Sequence, residues 1–293
     1  MNPFNSVVMK KYLSLILGTY AISILLTGCS DNVPYGSNPA VGKYYNIRGF
    51  KMYCETYGNG APLLMIHGNN GSIKTFSHNI PFFEKNYKVI VADGRSQGRS
   101  VDSRDSISFE MMADDYAALL DSMHIDSAYV IGWSDGGTNA LLLAMRHPGK
   151  VKKLASSGAD LWPDSTDKAV ITNRWQDEKV TYQKYKGTVA KNAQEKNERK
   201  FFALDWDQPN IQPAELHKIK CPALIIGGDH DMIRVKHTEL IYKNIPKANL
   251  WIVSPSGHGT LFEHRHSFNN NVDAFFKTPF SPDSKYTLYS NMF

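Results

Sequence analysis

The 293-residue chain has three cysteines, too few for a disulfide framework to define its fold. It has no apolar run of the roughly 20 residues that a membrane-spanning helix needs. No Lys/Arg run interleaved with aromatics is present, and a formal charge of +5 is too mild to draw a polyanion. Nucleic-acid partners are therefore not expected. No internal repeat recurs, which sets solenoids and propellers aside. Metal-binding spacing is missing too: Asp229, His230 and Asp231 are consecutive, neighbours in a loop point apart, and no matching ligands follow. What is present is an ordinary globular composition, 42% hydrophobic, enough for a sizeable core in one large domain or a domain with an insertion.

The N-terminus stands apart. Met9-Lys10-Lys11 precedes an apolar stretch of about 15 residues, Tyr12–Leu26, and small residues follow, a secretory signal pattern. Leu26-Thr27-Gly28-Cys29 resembles the lipobox of bacterial lipoproteins. The resemblance implies a signal peptide over 1–28, lipidation of Cys29, and a mature chain held to a bacterial envelope membrane. An uncleaved anchor or an ordinary signal peptide is the alternative. Removal of Lys10 and Lys11 takes the formal charge from +5 to about +3. Residues 29–42, rich in Gly, Pro, Ser and Asn, read as a flexible tether. Cys54 and Cys221 sit in apolar strand-like runs, as buried free thiols or as a disulfide pair.

From residue 43 onward, short apolar runs alternate with helical patterns. Strands are predicted at Pro62–Ile66, Lys88–Ala92, Ala128–Ile131, Val151–Ala155, Ala223–Ile226 and Leu250–Val253. They are continuous rather than alternating, as strands buried on both faces are. Residues 109–125 carry Met112, Tyr116, Leu119, Leu120 and Met123 at helical spacing behind a Ser108 cap. Gly136–Arg146 predicts a second helix, ended by His147-Pro148-Gly149. Strand–helix alternation implies an α/β fold on a mostly parallel central sheet, with Tyr44–Tyr57 as an antiparallel hairpin at its edge. Residues 161–210 break the rhythm. They are polar with scattered aromatics and predict two or three amphipathic helices. The expected organisation is core over 43–160, helical cap over 161–210, core again over 211–277, and a tail over 278–293.

The chemistry centres on Gly132-Trp133-Ser134-Asp135-Gly136-Gly137. A G-x-S-x-G between a buried strand and a helix is a nucleophile elbow, in which the glycines permit the reversal and the serine projects at the sheet edge. The N–H of Asp135 then faces the place where an oxyanion forms, helped by the helix N-terminus. Leu64–Ile66 runs into His67-Gly68-Asn69, so Asn69 is the candidate second oxyanion donor. Ala223–Ile226 leads to Asp229 and Asp231, with Asp231 favoured as the acid. Ser256-Gly257-His258 follows the last strand, so His258 is the candidate base, and His264 and His266 are expected on a helix surface. Asp93-Gly94-Arg95-Ser96-Gln97-Gly98-Arg99-Ser100 reads as a tight structural turn beside the site.

The chain order Ser, Asp, His matches the α/β-hydrolases. Over about residues 43–277 the sequence resembles that superfamily of esterases, C–C hydrolases and haloperoxidases. The turn at 93–100 is similar to its D-x-R-G-x-G-x-S, with Ser96 at a glycine position. The resemblance implies an α/β-hydrolase fold with a small cap, a Ser134–His258–Asp231 triad, no cofactor, and a small ester or amide as substrate. Residues 132–137 are similar to the elbow of valacyclovir-hydrolase-like enzymes, which cleave α-amino-acid esters. That implies substrate contacts for Trp133 and for the Asp135 carboxylate, which otherwise serves as a helix-terminal acid. Dehalogenases are disfavoured because their nucleophile is aspartate, and proline iminopeptidases because H-G-G-P-G is absent. C–C hydrolysis, haloperoxidation and a non-catalytic binding protein on the same scaffold are the alternatives. The complete Ser, Asp and His set argues against the last.

Overall fold

The computed structural model describes residues 33–163, 179–280 and 287–289. The expected signal peptide, Cys29, residues 164–178 of the cap and most of the tail lie outside the described residues. Among the described residues, no helix is long and apolar enough to cross a membrane.

Among the described residues nine strands form one sheet: β1 (Gly42–Ile47), β2 (Phe50–Tyr57), β3 (Ala61–Ile66), β4 (Tyr87–Ala92), β5 (Ala128–Trp133), β6 (Val151–Ser157), β7 (Ala223–Gly228), β8 (Ala248–Val253) and β9 (Thr287–Tyr289). Their order is β1-β2-β4-β3-β5-β6-β7-β8-β9. The β1–β2 and β2–β4 pairs are antiparallel and the others parallel. The hairpin read at 44–57 is the edge pair β1–β2, and each predicted parallel strand is present with one or two residues added. These strands are buried because helices cover the sheet: Leu63, Leu64 and Ile66 of β3 and Val130 and Ile131 of β5 are almost fully enclosed. The expected tail contains a strand, β9, which the sequence pattern did not show.

Helix α1 (Phe109–Ser122) begins at Ser108, whose hydroxyl accepts the Met111 N–H, and it ends at Met123, one residue before His124 turns left-handed at φ 54°. The helical pattern read to 125 therefore stops early, because a left-handed residue cannot continue the helix. Helix α2 (Asp135–Arg146) packs on β5 and β6 and against α1. Between β6 and β7 the described part of the cap holds a helical stretch at 179–185 and helix α3 (Ala193–Asp207), N-capped by the Asn192 side chain. Trp206 stacks between Tyr182, 4.9 Å away, and Phe202, 5.9 Å away. These aromatics pack on one another within the cap, while Phe201 and Leu204 turn inward to the core. Helices α4 (Val235–Lys243) and α5 (Arg265–Lys277) follow β7 and β8.

Residues 29–32 of the expected tether lie outside the described residues, and Gly36 and Asn38 within it are fastened to the sheet. Glu55 of β2 is fully buried and accepts four hydrogen bonds, from Gly36 N at 2.9 Å, Asn38 N at 2.8 Å, Tyr53 Oη at 2.9 Å and Tyr57 Oη at 2.7 Å. A buried carboxylate demands donors, and the segment before β1 is fixed by supplying two of them. Cys54 and Cys221 are free thiols, and burial pushes the Cys54 thiol up to about 12.

The turn at 93–100 is rigid for a similar reason. Arg95 is wholly buried. Its Nε and Nη2 donate to the two oxygens of Asp115 on α1 at 2.7 Å each, and its Nη1 donates to Asp102 at 3.1 Å. Its guanidinium lies 4.0 Å over the Phe50 ring. Ser96 is left-handed at φ 63°, as a glycine in its place would be, but its side chain has a use: Ser96 Oγ accepts from Lys200 of α3 at 2.9 Å. Replacing Arg95 by alanine leaves the Asp115 charge buried without its bidentate partner. Arg95→Ala is expected to lower folding stability by about 3–5 kcal/mol, read as a shift of the urea midpoint.

Candidate active site

Parallel pairing brings the loops after β3, β5, β6, β7 and β8 to one edge of the sheet. Ile66 is level with Gly132, Gly132 with Ser156, and Ser157 with Ile226. Asn69, Ser134, Asp231 and His258 all lie in the few residues beyond these strand ends, where α/β folds place their ligand sites.

Ser134 joins β5 to α2 with φ 58° and ψ −129°, a conformation worth about 1–3 kcal/mol of strain for a residue with a side chain. The reversal is held by close backbone packing. A Cβ on Gly136 would fall on the Ile66 carbonyl, and one on Gly132 would fall on the Gly136 carbonyl. The Ser134 N–H donates to Ser157 O at 2.8 Å, fixing the elbow to β6.

The side chains form a hydrogen-bonded chain. Ser134 Oγ and His258 Nε2 are 2.9 Å apart, and His258 Nδ1 and Asp231 Oδ1 are 2.7 Å apart. Asp231 is nearly inaccessible and also accepts the Ile233 N–H at 2.9 Å. A buried carboxylate on Nδ1 fixes the tautomer with its proton there, leaving Nε2 to accept from the serine. Asp229, the competing acid, does not touch His258. It accepts the Ser256 N–H at 2.9 Å and lies 2.8 Å from His230 Nδ1. Although burial opposes it, hydrogen bonds from Ser254, the Ser256 N–H and His230 hold its carboxyl down near about 2. His264 bonds the Pro255 carbonyl and His266 lies on the exposed face of α5, both apart from the chain.

Trp133 has a positioning contact that sequence reasoning missed. Its indole N–H donates to the His258 carbonyl at 2.8 Å, and its ring packs 5.1 Å from Phe262. The indole thereby braces the loop that carries the histidine.

Asn69 is placed by its neighbours. A Cβ on Gly68 would lie 2.8 Å from Ser134 Cβ, so this loop lies directly against the serine. His67 is buried and pins the loop: its Nε2 accepts the Gly94 N–H at 3.0 Å, and its Nδ1 lies 2.8 Å from Gly68 O. Burial lowers its pKa, consistent with a neutral ring that donates from Nδ1 and accepts at Nε2. The Asn69 side chain donates to Asp205 Oδ2 on α3 at 2.5 Å, a contact between cap and core that no local pattern signals. Asp160, beyond β6, also lies in this region and escaped the sequence reading. Among the described residues no three His, Cys, Asp or Glu side chains converge to hold a metal ion. Because a methyl at Gly136 would meet the Ile66 carbonyl, Gly136→Ala is expected to cost about 3 kcal/mol of stability, the upper end of the usual range for an overpacked core position. Thermal melting of the purified variant measures it.

A family model described as the alpha/beta hydrolase fold matches residues 61–192. Among curated proteins, the chain is 25% identical over 273 residues to a 2-hydroxymuconate semialdehyde hydrolase of a Pseudomonas species, covering 83% of this chain and 96% of that one. It is 25% identical over 248 residues to the human serine hydrolase BPHL, covering 78% and 84%. Among solved structures, the enol-lactonase of Burkholderia xenovorans aligns with a TM-score of 0.65 at 20% identity, covering 80% of this chain and 100% of that chain. An esterase of Exiguobacterium antarcticum aligns with a TM-score of 0.65 at 23% identity, covering 81% and 100%. The chain has the α/β-hydrolase fold, and the proteins it resembles in sequence are hydrolases of the α/β-hydrolase superfamily.

Proposed function

We propose that this enzyme is a serine hydrolase that cleaves a small carboxylic ester or amide through an acyl-enzyme. The observation that carries the reading is the hydrogen-bonded chain Ser134–His258–Asp231 on a left-handed elbow. His258 Nε2 takes the Ser134 proton as Oγ attacks the carbonyl carbon. The backbone N–H groups of Asn69 and Asp135 receive the negative oxygen, each worth about 3–4 kcal/mol to the transition state. His258 then protonates the leaving group. Water, deprotonated by the same nitrogen, releases the acid and restores Ser134. Asp231 keeps the ring oriented and favours its charged form. The reaction as written draws on no cofactor.

For the substrate, the Gly132–Gly137 hexapeptide, similar to the elbow of enzymes that cleave α-amino-acid esters, favours an ester bearing an amine, with the Asp135 carboxylate and the Trp133 region as its recognition elements. The likeness to 2-hydroxymuconate semialdehyde hydrolase favours the second reading, hydrolysis of a C–C bond next to a carbonyl by the same residues. We further infer anchoring at Cys29 in the bacterial envelope, supported by the Leu26–Cys29 pattern. Cys29→Ser is expected to move the protein from the membrane fraction to the soluble fraction.

The test of the chemistry is direct. Ser134→Ala is expected to lower kcat on p-nitrophenyl acetate by about 10⁴-fold or more. A fluorophosphonate is expected to add to Ser134 and to no other serine by peptide mass spectrometry. Unlabelled Ser134 in folded protein would sink the serine hydrolase reading.

A further inference from the structure

Asp160 stands just beyond β6, at the same sheet edge as Ser134. The loop that leads to it packs on the catalytic histidine: a Cβ on Gly158 would lie 2.9 Å from His258 Cε1 and 3.6 Å from Asp231 Oδ2. Thr138, one turn along α2 from Ser134, holds Asp160 in place. Its Oγ1 donates to Asp160 Oδ1 at 3.1 Å and accepts the Asp160 N–H at 3.2 Å. The residue keeps part of its surface open while its carboxyl lies within the protein.

The fold does not need the charge. An asparagine would accept from Thr138 equally well. Among the described residues no lysine or arginine forms an ion pair with Asp160, and the charged groups that reach it are Asp205 and His258. Burial pushes the Asp160 carboxyl up to about 7. The Asp205 charge adds to the rise, while the Thr138 hydroxyl and His258 oppose it. An internal carboxyl that costs stability when ionised, and whose hydrogen bond an amide could replace, is a functional-site signature.

Asp205 extends the argument across the cleft. It bonds Asn69, on the β3 side of the nucleophile strand, and its charge reaches Asp160, on the β6 side. The cap therefore brings a second carboxylate over the edge that carries Ser134. Resting on the serine hydrolase reading, we propose that Asp160 is a specificity-determining residue that seats a protonated amine of the substrate.

The test separates binding from turnover by using Ser134→Ala protein. Phenethylamine, an amine that stays protonated through neutral pH, is titrated by calorimetry beside its neutral N-acetyl twin. The amine is expected to bind at least tenfold more tightly at pH 7.5, and adding Asp160→Asn is expected to abolish that preference. At pH 6.5, where Asp160 is substantially protonated, amine binding is expected to release a proton, detected by comparing buffers of different ionisation enthalpy. Asp160→Asn removes that release, which a merely structural role would not do. The folded pKa is raised, so the stability Asp160 contributes is present in acid and is lost as pH rises through about 7. Asp160→Asn is thus expected to melt at a higher temperature than the parent at pH 8, which also establishes that it folds. No amine preference, or a preference unchanged by Asp160→Asn, overturns the proposal and leaves the hydrolase reading intact. An Asp160-dependent preference in a protein whose wild type hydrolyses no ester does the reverse.

Discussion

The site depends on one steric constraint, the reversal of β5 into α2 within the width of a glycine. Ser134 can stand at φ 58° only because the backbones of β3, β5 and α2 touch where Gly132 and Gly136 have no side chains. The strain at Ser134 is small beside the sum of the sheet's pairings, so the sheet over-determines it. Everything else at the site is arranged relative to that fixed hydroxyl. The β6 carbonyl at Ser157 holds its N–H, the His67–Asn69 loop lies against its Cβ, and the His258 loop is braced by the residue immediately before it.

Around this point the supports are buried polar clusters rather than apolar packing alone. Glu55 ties the segment before β1 to the sheet edge, Arg95 ties the 93–100 turn to α1, and His67 ties the β3 loop to Gly94. Each is a buried polar or charged group satisfied by named partners, and each becomes a liability if a partner is removed. Through Ser96, Asn197 and Lys200, the same turn holds α3 of the cap at a fixed height. Asp205 is presented by that helix.

The electrostatics of the edge are lopsided. Asp135, Asp160 and Asp205 come from three different elements, whereas His258 is the base among them. Asp231 is committed to His258 and Asp229 to the Ser256 N–H.

The parallel strands were legible in the sequence because both their faces are buried, leaving unbroken apolar runs. The elbow was legible because its glycines and serine are consecutive, and the order Ser134, Asp231, His258 because each residue sits just past a strand. Strand β9 was not legible: three residues carry no periodicity, and only pairing to β8 makes them a strand. Neither was the stop of α1 at Ser122, decided by the left-handed turn at His124, nor the fastening of Gly36 and Asn38, decided by a carboxylate in β2. The sequence favoured Asp231 over Asp229, whereas the bracing role of Trp133 required the loops to be seen in space. By itself the sequence determined the fold class and the position of the elbow, since both are written in local patterns: unbroken apolar runs for the strands and consecutive glycines around Ser134 for the turn. Only the tertiary structure decided where Asp160 and Asp205 stand. Residues far apart in sequence share a field only after the sheet and the cap have brought them to one edge.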